Sequence, residues 1–207
     1  MADDDERAPT PEETLRLIEE QQAATVKRLQ GDPLTRYLPW GVAWLLGFTA
    51  LFLHYGPDGR PLVPITQMQA VGVLMFGQVI AGAVAAYGIT KATTLVRGQS
   101  TAQGAMYGYS WLAGMALMFL IAARLSPLLP SDETGLVWAS VSLLVVGVLY
   151  MAGGAIWLDW PTFFIGTWVV AVDGLGVLLG PAWHALLVAV LLGGGFIAVG
   201  VWLRWRR

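Results

Sequence analysis

The sequence predicts an all-α membrane protein, a polytopic bundle of six transmembrane helices preceded by a short amphipathic helix. Two observations lead to this fold class. Of the 207 residues, 56% are hydrophobic and only 13% are charged, which is more apolar surface than one water-soluble core can bury. The apolar residues also fall into six segments of the length that crosses a hydrocarbon core of about 30 Å, roughly 20 helical residues each. Lipid is therefore the solvent for most of the chain.

Turn-forming and charged residues separate the six apolar segments. The breaks lie at residues 57–61, 97–100, 126–133, 159–161 and 180–181. The connecting loops are too short to form separate domains. The sequence therefore predicts one transmembrane domain over residues 38–203, followed by a basic tail at 204–207, with helices at 38–55, 65–90, 103–125, 135–158, 161–180 and 183–203.

The polar N-terminal region divides into two parts. Residues 1–9 carry a run of acidic side chains with no apolar anchor, so we expect a disordered tail. Residues 10–30 predict a helix that begins with Thr10 as N-cap, Pro11 in the first helical position and Glu13 completing a capping box. Its thin apolar stripe predicts an amphipathic helix that packs on the cytoplasmic face of the bundle, either as a tether or as a docking helix for a partner subunit.

Basic residues predict the orientation of the bundle. In transmembrane proteins, lysine and arginine concentrate in the loops on the cytoplasmic side. One side of the predicted bundle holds Arg60 and Arg124. The other side holds Lys27, Arg28, Arg36, Lys91, Arg97, Arg204, Arg206 and Arg207. We therefore expect a multi-pass protein with both its N and C termini in the cytoplasm.

A short pattern in the odd-numbered segments suggests an internal repeat. Glycine precedes tryptophan at 41–44, 108–111 and 166–168, each time near the cytoplasmic start of a segment, and the even-numbered segments carry glycines near their middles. Three tandem helical hairpins would produce this arrangement. Around a pseudo-threefold axis, Trp44, Trp111 and Trp168 would form an inner aromatic ring. The alternative is that these three residues belong to the tryptophan belt at the membrane boundary.

Two pairs of glycines have the spacing of close helix contacts. Gly104 with Gly108, and Gly176 with Gly180, each place two small residues one turn apart on the same helix face. Small residues allow helix backbones to approach closely in lipid. We therefore expect both faces to pack against neighbouring helices.

Asp173 is the only acidic residue inside an apolar segment and is the main candidate functional residue. A charge at the bilayer centre costs about 2.5–3.5 kcal/mol on insertion scales, so this carboxylate should face the interior of the bundle. We expect Arg124, His54 and His184, at the outer ends of their segments, to share one polar cluster with it. Either Asp173 and Arg124 form a structural ion pair, or the cluster is a proton-coupled or ligand-binding vestibule. Gln78, also deep, should either hydrogen-bond a neighbouring helix or line a pore.

The sequence offers little for catalysis or for cofactor binding. It contains no cysteine, and its two histidines are too few for a His-rich metal or haem site, which leaves open a mixed site of histidine and aspartate. It also lacks a Walker A loop, a dinucleotide fingerprint, a Gly-x-Ser-x-Gly elbow and a His-Glu-x-x-His zinc motif. We therefore expect no enzymatic activity, cofactor or resident metal. The expected partners are the lipid bilayer, a small solute or a proton, and a second copy of the chain or a partner membrane subunit, but not nucleic acid.

The stretches at 15–21, 39–45, 103–111 and 150–157 resemble those of an uncharacterised six-helix membrane protein family from high-GC Gram-positive bacteria. This resemblance covers nearly the whole chain and implies the same topology in a bacterial plasma membrane. It brings no established activity with it. In helix number and size, the chain is also similar to small-solute channels for urea and amides and to acid-resistance membrane proteins, without a shared motif.

The sequence favours a small-solute transporter or channel, or the membrane subunit of one, with a site at Asp173. This hypothesis rests on the cost of an intramembrane carboxylate that has basic groups at its depth. The alternative is a membrane accessory protein that does not transport and that docks a partner through its N-terminal helix.

Overall fold

The protein is a multi-pass membrane protein whose described elements are all helices. The structure, a computed structural model, describes residues 10–17, 20–21, 33–93 and 99–206. Within these ranges there is no strand, and six helices are long and apolar enough to cross a membrane. The predicted all-α bundle is confirmed. The acidic tail predicted at 1–9 and most of the second half of the predicted amphipathic helix lie outside the described residues.

The six observed helices match the six predicted segments, with ends that differ by a few residues. They are α1 Pro33–Tyr55, α2 Gln67–Thr93, α3 Gln99–Leu125, α4 Ser131–Trp157, α5 Trp160–Leu179 and α6 Pro181–Trp205. A short 3-10 turn at Ser126–Leu128 follows α3. Five of the helices begin before the predicted segments, because polar residues at a helix end continue the hydrogen-bonding pattern beyond the apolar stretch.

The N-terminal helical segment starts as the sequence predicts. The Thr10 backbone N–H donates to the Glu13 carboxylate at 2.8 Å, and the Glu13 backbone N–H donates to Thr10 Oγ1 at 3.2 Å, which is a complete capping box. Helical residues follow at 11–17. Leu15 of the predicted apolar stripe is exposed. Most of the stripe lies outside the described residues, so its packing on the bundle stays a prediction.

The six helices pack in the spatial order α2, α1, α6, α5, α4, α3. The buried core therefore lies where α6 passes between α1 and α5, and its largest fully buried side chains include Leu192, His184 and Val169. No residue of the core cluster comes from α3, which packs mainly on α4 at the edge of the bundle. We call the end at Pro33 and Trp205 the inner end, and the end at Tyr55 and Gly180 the outer end.

Consecutive helices pack as hairpins, and helices of different hairpins also pack on each other. The α1–α2, α3–α4 and α5–α6 pairs are in contact, yet α4 also packs closely on α5, and α6 packs closely on α1. Glycines permit these additional contacts: Gly154 of α4 lies against the Phe163 backbone, and Gly193 of α6 lies against Leu45. The threefold hairpin repeat stays a prediction.

Two glycine faces were expected to pack on neighbouring helices. The face of Gly176 and Gly180 does so through Gly176, and the face of Gly104 and Gly108 does not. A Cβ at Gly176 would lie 2.7 Å from the His184 ring. The face of Gly104 and Gly108 is open, because a Cβ at either residue would meet no atom within 4 Å. For that face the expectation of packing within the chain is wrong. The reason is that α3 turns a different side toward α4, where Gly114 contacts Val145.

Helix α6 contains a π-helical turn. Pro181–Leu187 is α-helical, Val188–Gly193 is π-helical and Gly194–Trp205 is α-helical again. The Gly194 N–H bonds the carbonyl of Ala189, five residues back. A π-turn holds one residue more than an α-turn and weakens the regular hydrogen-bond ladder. The indole N–H of Trp168 donates to the carbonyl of Leu191 at 3.3 Å, within this turn.

Candidate functional site

The turn between α5 and α6 sets up the candidate site. Gly180 alone joins the two helices, and its φ of 89° is a backbone conformation that side chains other than glycine rarely adopt. Its N–H bonds the carbonyl of Gly176, and its own carbonyl accepts from the His184 N–H at 2.9 Å. Both helices are thus hydrogen-bonded up to the turn. Helix α6 folds directly back on α5 and faces it from its first turn.

This hairpin brings Asp173 and His184 together. His184 Nε2 lies 2.8 Å from Asp173 Oδ1, which is hydrogen-bond distance. The two residues are 5% and 2% exposed, so the contact is sealed from its surroundings. Asp173 lies seven residues before Gly180, or roughly 10 Å from the outer end of the helix at about 1.5 Å per residue. The pair therefore lies in the outer half of the bundle.

Apolar groups enclose the Asp173–His184 pair. Gly176, one turn after Asp173 on the same face, leaves the space that the imidazole occupies. The ring of Phe48 in α1 meets the imidazole edge-to-face at 6.3 Å between centroids. Val172 and Ala185, next to the paired residues in the chain, are also buried. The ring of Phe48 and the backbone of Gly176 thus pack on the imidazole, and among the described residues the two paired side chains hydrogen-bond only each other.

The low polarity around the pair restricts its charge. The ion pair of Asp⁻ with HisH⁺ and the neutral pair of AspH with His contain the same number of protons and both have zero net charge. Removing that proton leaves one net negative charge, and adding another leaves one net positive charge. Each change costs free energy where apolar groups replace water.

The partner of Asp173 is His184 and not Arg124, so the predicted Asp173–Arg124 ion pair is wrong. Arg124 is exposed at the end of α3. The spatial order of the helices explains the difference, since α4 lies between α3 and α5. The sequence predicted Asp173, His184 and Arg124 in the outer half of the bundle. It could not show which of their helices are neighbours.

His54 also lies outside the pair. Its Nδ1 is 2.9 Å from the carbonyl oxygen of Ile65. Because a carbonyl oxygen only accepts, Nδ1 carries the hydrogen and donates it. His54 thus fastens the loop between α1 and α2 to the end of α1, and the structure brings only Asp173 and His184 of the predicted cluster together.

Gln78 in the middle of α2 has a buried side-chain oxygen with no hydrogen-bond partner in the described part of the chain. Such an atom costs about 1–3 kcal/mol when it is left unpaired. The expected interhelical hydrogen bond to this oxygen is therefore not formed among the described residues. Whether Gln78 lines a pore stays a prediction.

The three tryptophans of the predicted inner ring differ in how they relate to one phenylalanine, Phe196. Trp44 is buried with its ring 5.1 Å from Phe196. The ring of Trp111 lies 6.0 Å from that of Tyr150, and the ring of Tyr150 lies 6.2 Å from that of Phe196, between centroids. Trp168 is half exposed and shares an apolar cavity with Phe196. Among the ring contacts of the described residues, none joins two of these tryptophans.

Sequence reasoning missed several neighbours of the predicted residues. The contact of Gly176 with His184 had a signal, since Gly176 follows Asp173 by one helical turn. The central position of Phe196 had none, because its neighbours come from α1 and α4. The π-turn had a weak signal in the three consecutive glycines at 193–195, which lower helix stability.

The pair has too few donors for a metal centre of the usual kind. In the described ranges no three residues among His, Cys, Asp and Glu come close enough together to hold an ion. Two ligands alone leave most of the coordination sphere of a divalent cation unfilled.

Comparison of the chain with known protein families, with curated proteins and with solved structures found no match.

Proposed function

We propose that the protein is a proton-coupled transporter of a small solute, or the membrane subunit of one, in a bacterial plasma membrane. The observation that carries this proposal is the Asp173–His184 pair, two ionisable side chains buried side by side at 2.8 Å in a membrane bundle. Intramembrane acidic and histidine residues commonly mark proton relays because a purely structural role has cheaper apolar alternatives.

The position of the pair supports coupling of the proton to a conformational change. His184 lies in the first turns of α6, and the π-turn begins at Val188, one turn later. π-Turns are frequent at functional sites because their hydrogen bonds shift easily between registers. Opening the contact between α5 and α6 would admit water to the pair and let it exchange its proton, whereas the closed form holds it.

The test is proton movement in proteoliposomes that contain pyranine, with a metabolite extract supplied outside as the source of solute. Wild-type protein should acidify the lumen in an extract-dependent way. Asp173→Asn should reduce this rate to that of protein-free liposomes, because the amide keeps the size of the carboxyl group and a hydrogen bond to His184 but cannot accept the proton.

Asp58→Asn is the matched control, since Asp58 is an exposed acid in the outer loop. It should transport like the wild type. Size-exclusion chromatography of the purified proteins shows whether Asp173→Asn is folded. If the folded Asp173→Asn protein acidifies the lumen at the wild-type rate, the pair is structural and the proposal is wrong.

A non-transporting accessory protein is the second candidate. It is supported by Leu15, which is exposed on the N-terminal helical segment and belongs to the apolar stripe that a partner would cover. Wild-type protein would then produce no extract-dependent acidification at all. The same assay therefore separates the two candidates.

A further inference from the structure

An apolar crevice enters the bundle between α5 and α6 in its inner half. It has a volume of about 80 Å³ and lies between Trp168 of α5 and the row Leu191, Gly195 and Val199 of α6. These α6 residues are spaced four apart and therefore form one side of the helix. Trp168 is half exposed, so the crevice opens toward the lipid.

The crevice reaches the core of the bundle instead of lying on its surface. Tyr37 and Phe196 form its floor, and each is only 5% exposed. The hydrogen bond from Trp168 to the carbonyl of Leu191 fixes the outer wall against the π-turn. A flexible apolar chain in the crevice would contact both α5 and α6. A lipid chain on the outer surface of the bundle would contact only one helix face.

Gly195 lines the crevice without contributing a side chain to it. A Cβ built at Gly195 meets no atom within 4 Å, so the space beside it is open. The neighbouring Gly194 is equally open, but it does not line the crevice. A larger side chain at residue 195 should therefore fill the crevice. The same substitution at residue 194 is the control, because it also meets no clash but lies outside the crevice lining.

A cationic group lies in line with the crevice at the inner end. Arg206 follows Val199 by seven residues, which is two turns and roughly 10 Å farther along the same side of α6. Its guanidinium stacks over the ring of Trp202 at 4.1 Å, so it is held near the helix. Gly195 is roughly 16 Å from Arg206 by the same rise, close to the depth of one leaflet of a core about 30 Å thick.

We propose that this crevice binds one acyl chain of an anionic phospholipid whose headgroup phosphate pairs with Arg206. The apolar lining of the crevice excludes polar ligands. The positive charge of Arg206, which lies about one leaflet's depth from Gly195, favours a lipid with a net negative headgroup over a zwitterionic lipid. Stacked tryptophan and arginine at the interface are typical anchors for such headgroups.

Native mass spectrometry of the purified full-length protein tests this proposal. Phosphatidylglycerol and phosphatidylcholine with identical acyl chains are the probes. Wild-type protein should bind the first about fivefold more tightly, the factor expected for one arginine near a membrane surface. Gly195→Leu should lose this binding, because the added side chain fills the crevice. Arg206→Gln should retain bound lipid but lose the preference between headgroups.

Gly194→Leu is the control and should bind like the wild type. Gly195→Ala serves as a second, smaller filling variant and should bind with intermediate affinity. Undiminished phosphatidylglycerol binding to Gly195→Leu overturns the assignment of the crevice. Equal loss in Gly194→Leu, or equal affinity of wild-type protein for the two lipids, overturns it as well.

Discussion

At the scale of single residues, the site depends on a glycine as much as on its two ionisable groups. The carboxylate of Asp173 and the imidazole of His184 meet only because Gly176 leaves room for the ring. A methyl group at residue 176 would lie 2.7 Å from His184 Cδ2 and 2.9 Å from its Cα. The second contact is with the backbone, so a rotation of the imidazole cannot relieve it.

Gly176→Ala should therefore separate α6 from α5 and weaken the pair. Overpacking of this kind costs about 1–3 kcal/mol, which corresponds to a decrease of roughly 2–10 °C in Tm for a chain of this size. Differential scanning fluorimetry in detergent measures the change.

Gly174→Ala is the control for this substitution. Residue 174 is in the same helix, is exposed, and has nothing within 4 Å of a built Cβ. Its Tm should equal or slightly exceed that of the wild type, because alanine is the better helix former. Equal Tm values for the two variants would contradict the close contact between Gly176 and His184.

At the scale of elements, α6 is the helix that combines the features of interest. It provides His184 near its outer end, the π-turn at Val188–Gly193 and the floor of the crevice at Phe196. Both halves of α6 pack on α1, and the outer half also packs on α5. The extra residue of the π-turn thus sets the angle between His184 and Phe196 around the helix axis.

Deletion of Val190 should convert the π-turn into a regular α-turn and leave both halves close to their present faces. Val190 is half exposed, so little packing is lost with it. The protein should fold and retain the Asp173–His184 contact, with a modest decrease in Tm. Chromatography and scanning fluorimetry of the purified variant measure both.

Deletion of Leu178 from α5 provides the comparison. Leu178 is more exposed than Val190, but it lies in a regular α-helical segment. Removing it rotates Asp173 by about 100° relative to the turn at Gly180, so the pair cannot form. If the Val190 deletion is no better tolerated than the Leu178 deletion, the π-turn does not contain a removable residue.

At the scale of the whole molecule, the orientation of the bundle is the property that most needs a measurement. The proposal that both termini are cytoplasmic rests on the uneven distribution of lysine and arginine. The chain contains no cysteine, so a single introduced thiol can be labelled without background.

Asp58→Cys and Glu12→Cys place this thiol at exposed sites that follow and precede α1 in the chain. A membrane-impermeant maleimide should label Asp58→Cys in intact cells, because the loop after α1 would face outward. Glu12→Cys should react only after the membrane is permeabilised. The reverse pattern would mean that the bundle is inserted the other way round.

The sequence by itself determined the number and approximate ends of the membrane-spanning helices, the capping box at Thr10 and the burial of Asp173. These properties are local: hydropathy over one helix, hydrogen bonds within one turn and the cost of a charge in lipid. Each depends on residues close together in the chain.

Only the tertiary structure decided which residues meet. Asp173 pairs with His184 and not with Arg124 because the helices pack in an order that hydropathy does not encode. For the same reason the ring of Trp44 packs on Phe196, and the face of Gly104 stays open. Apolar side chains are interchangeable to lipid, so the choice of neighbour depends on close contacts such as those of Gly176 and Gly193.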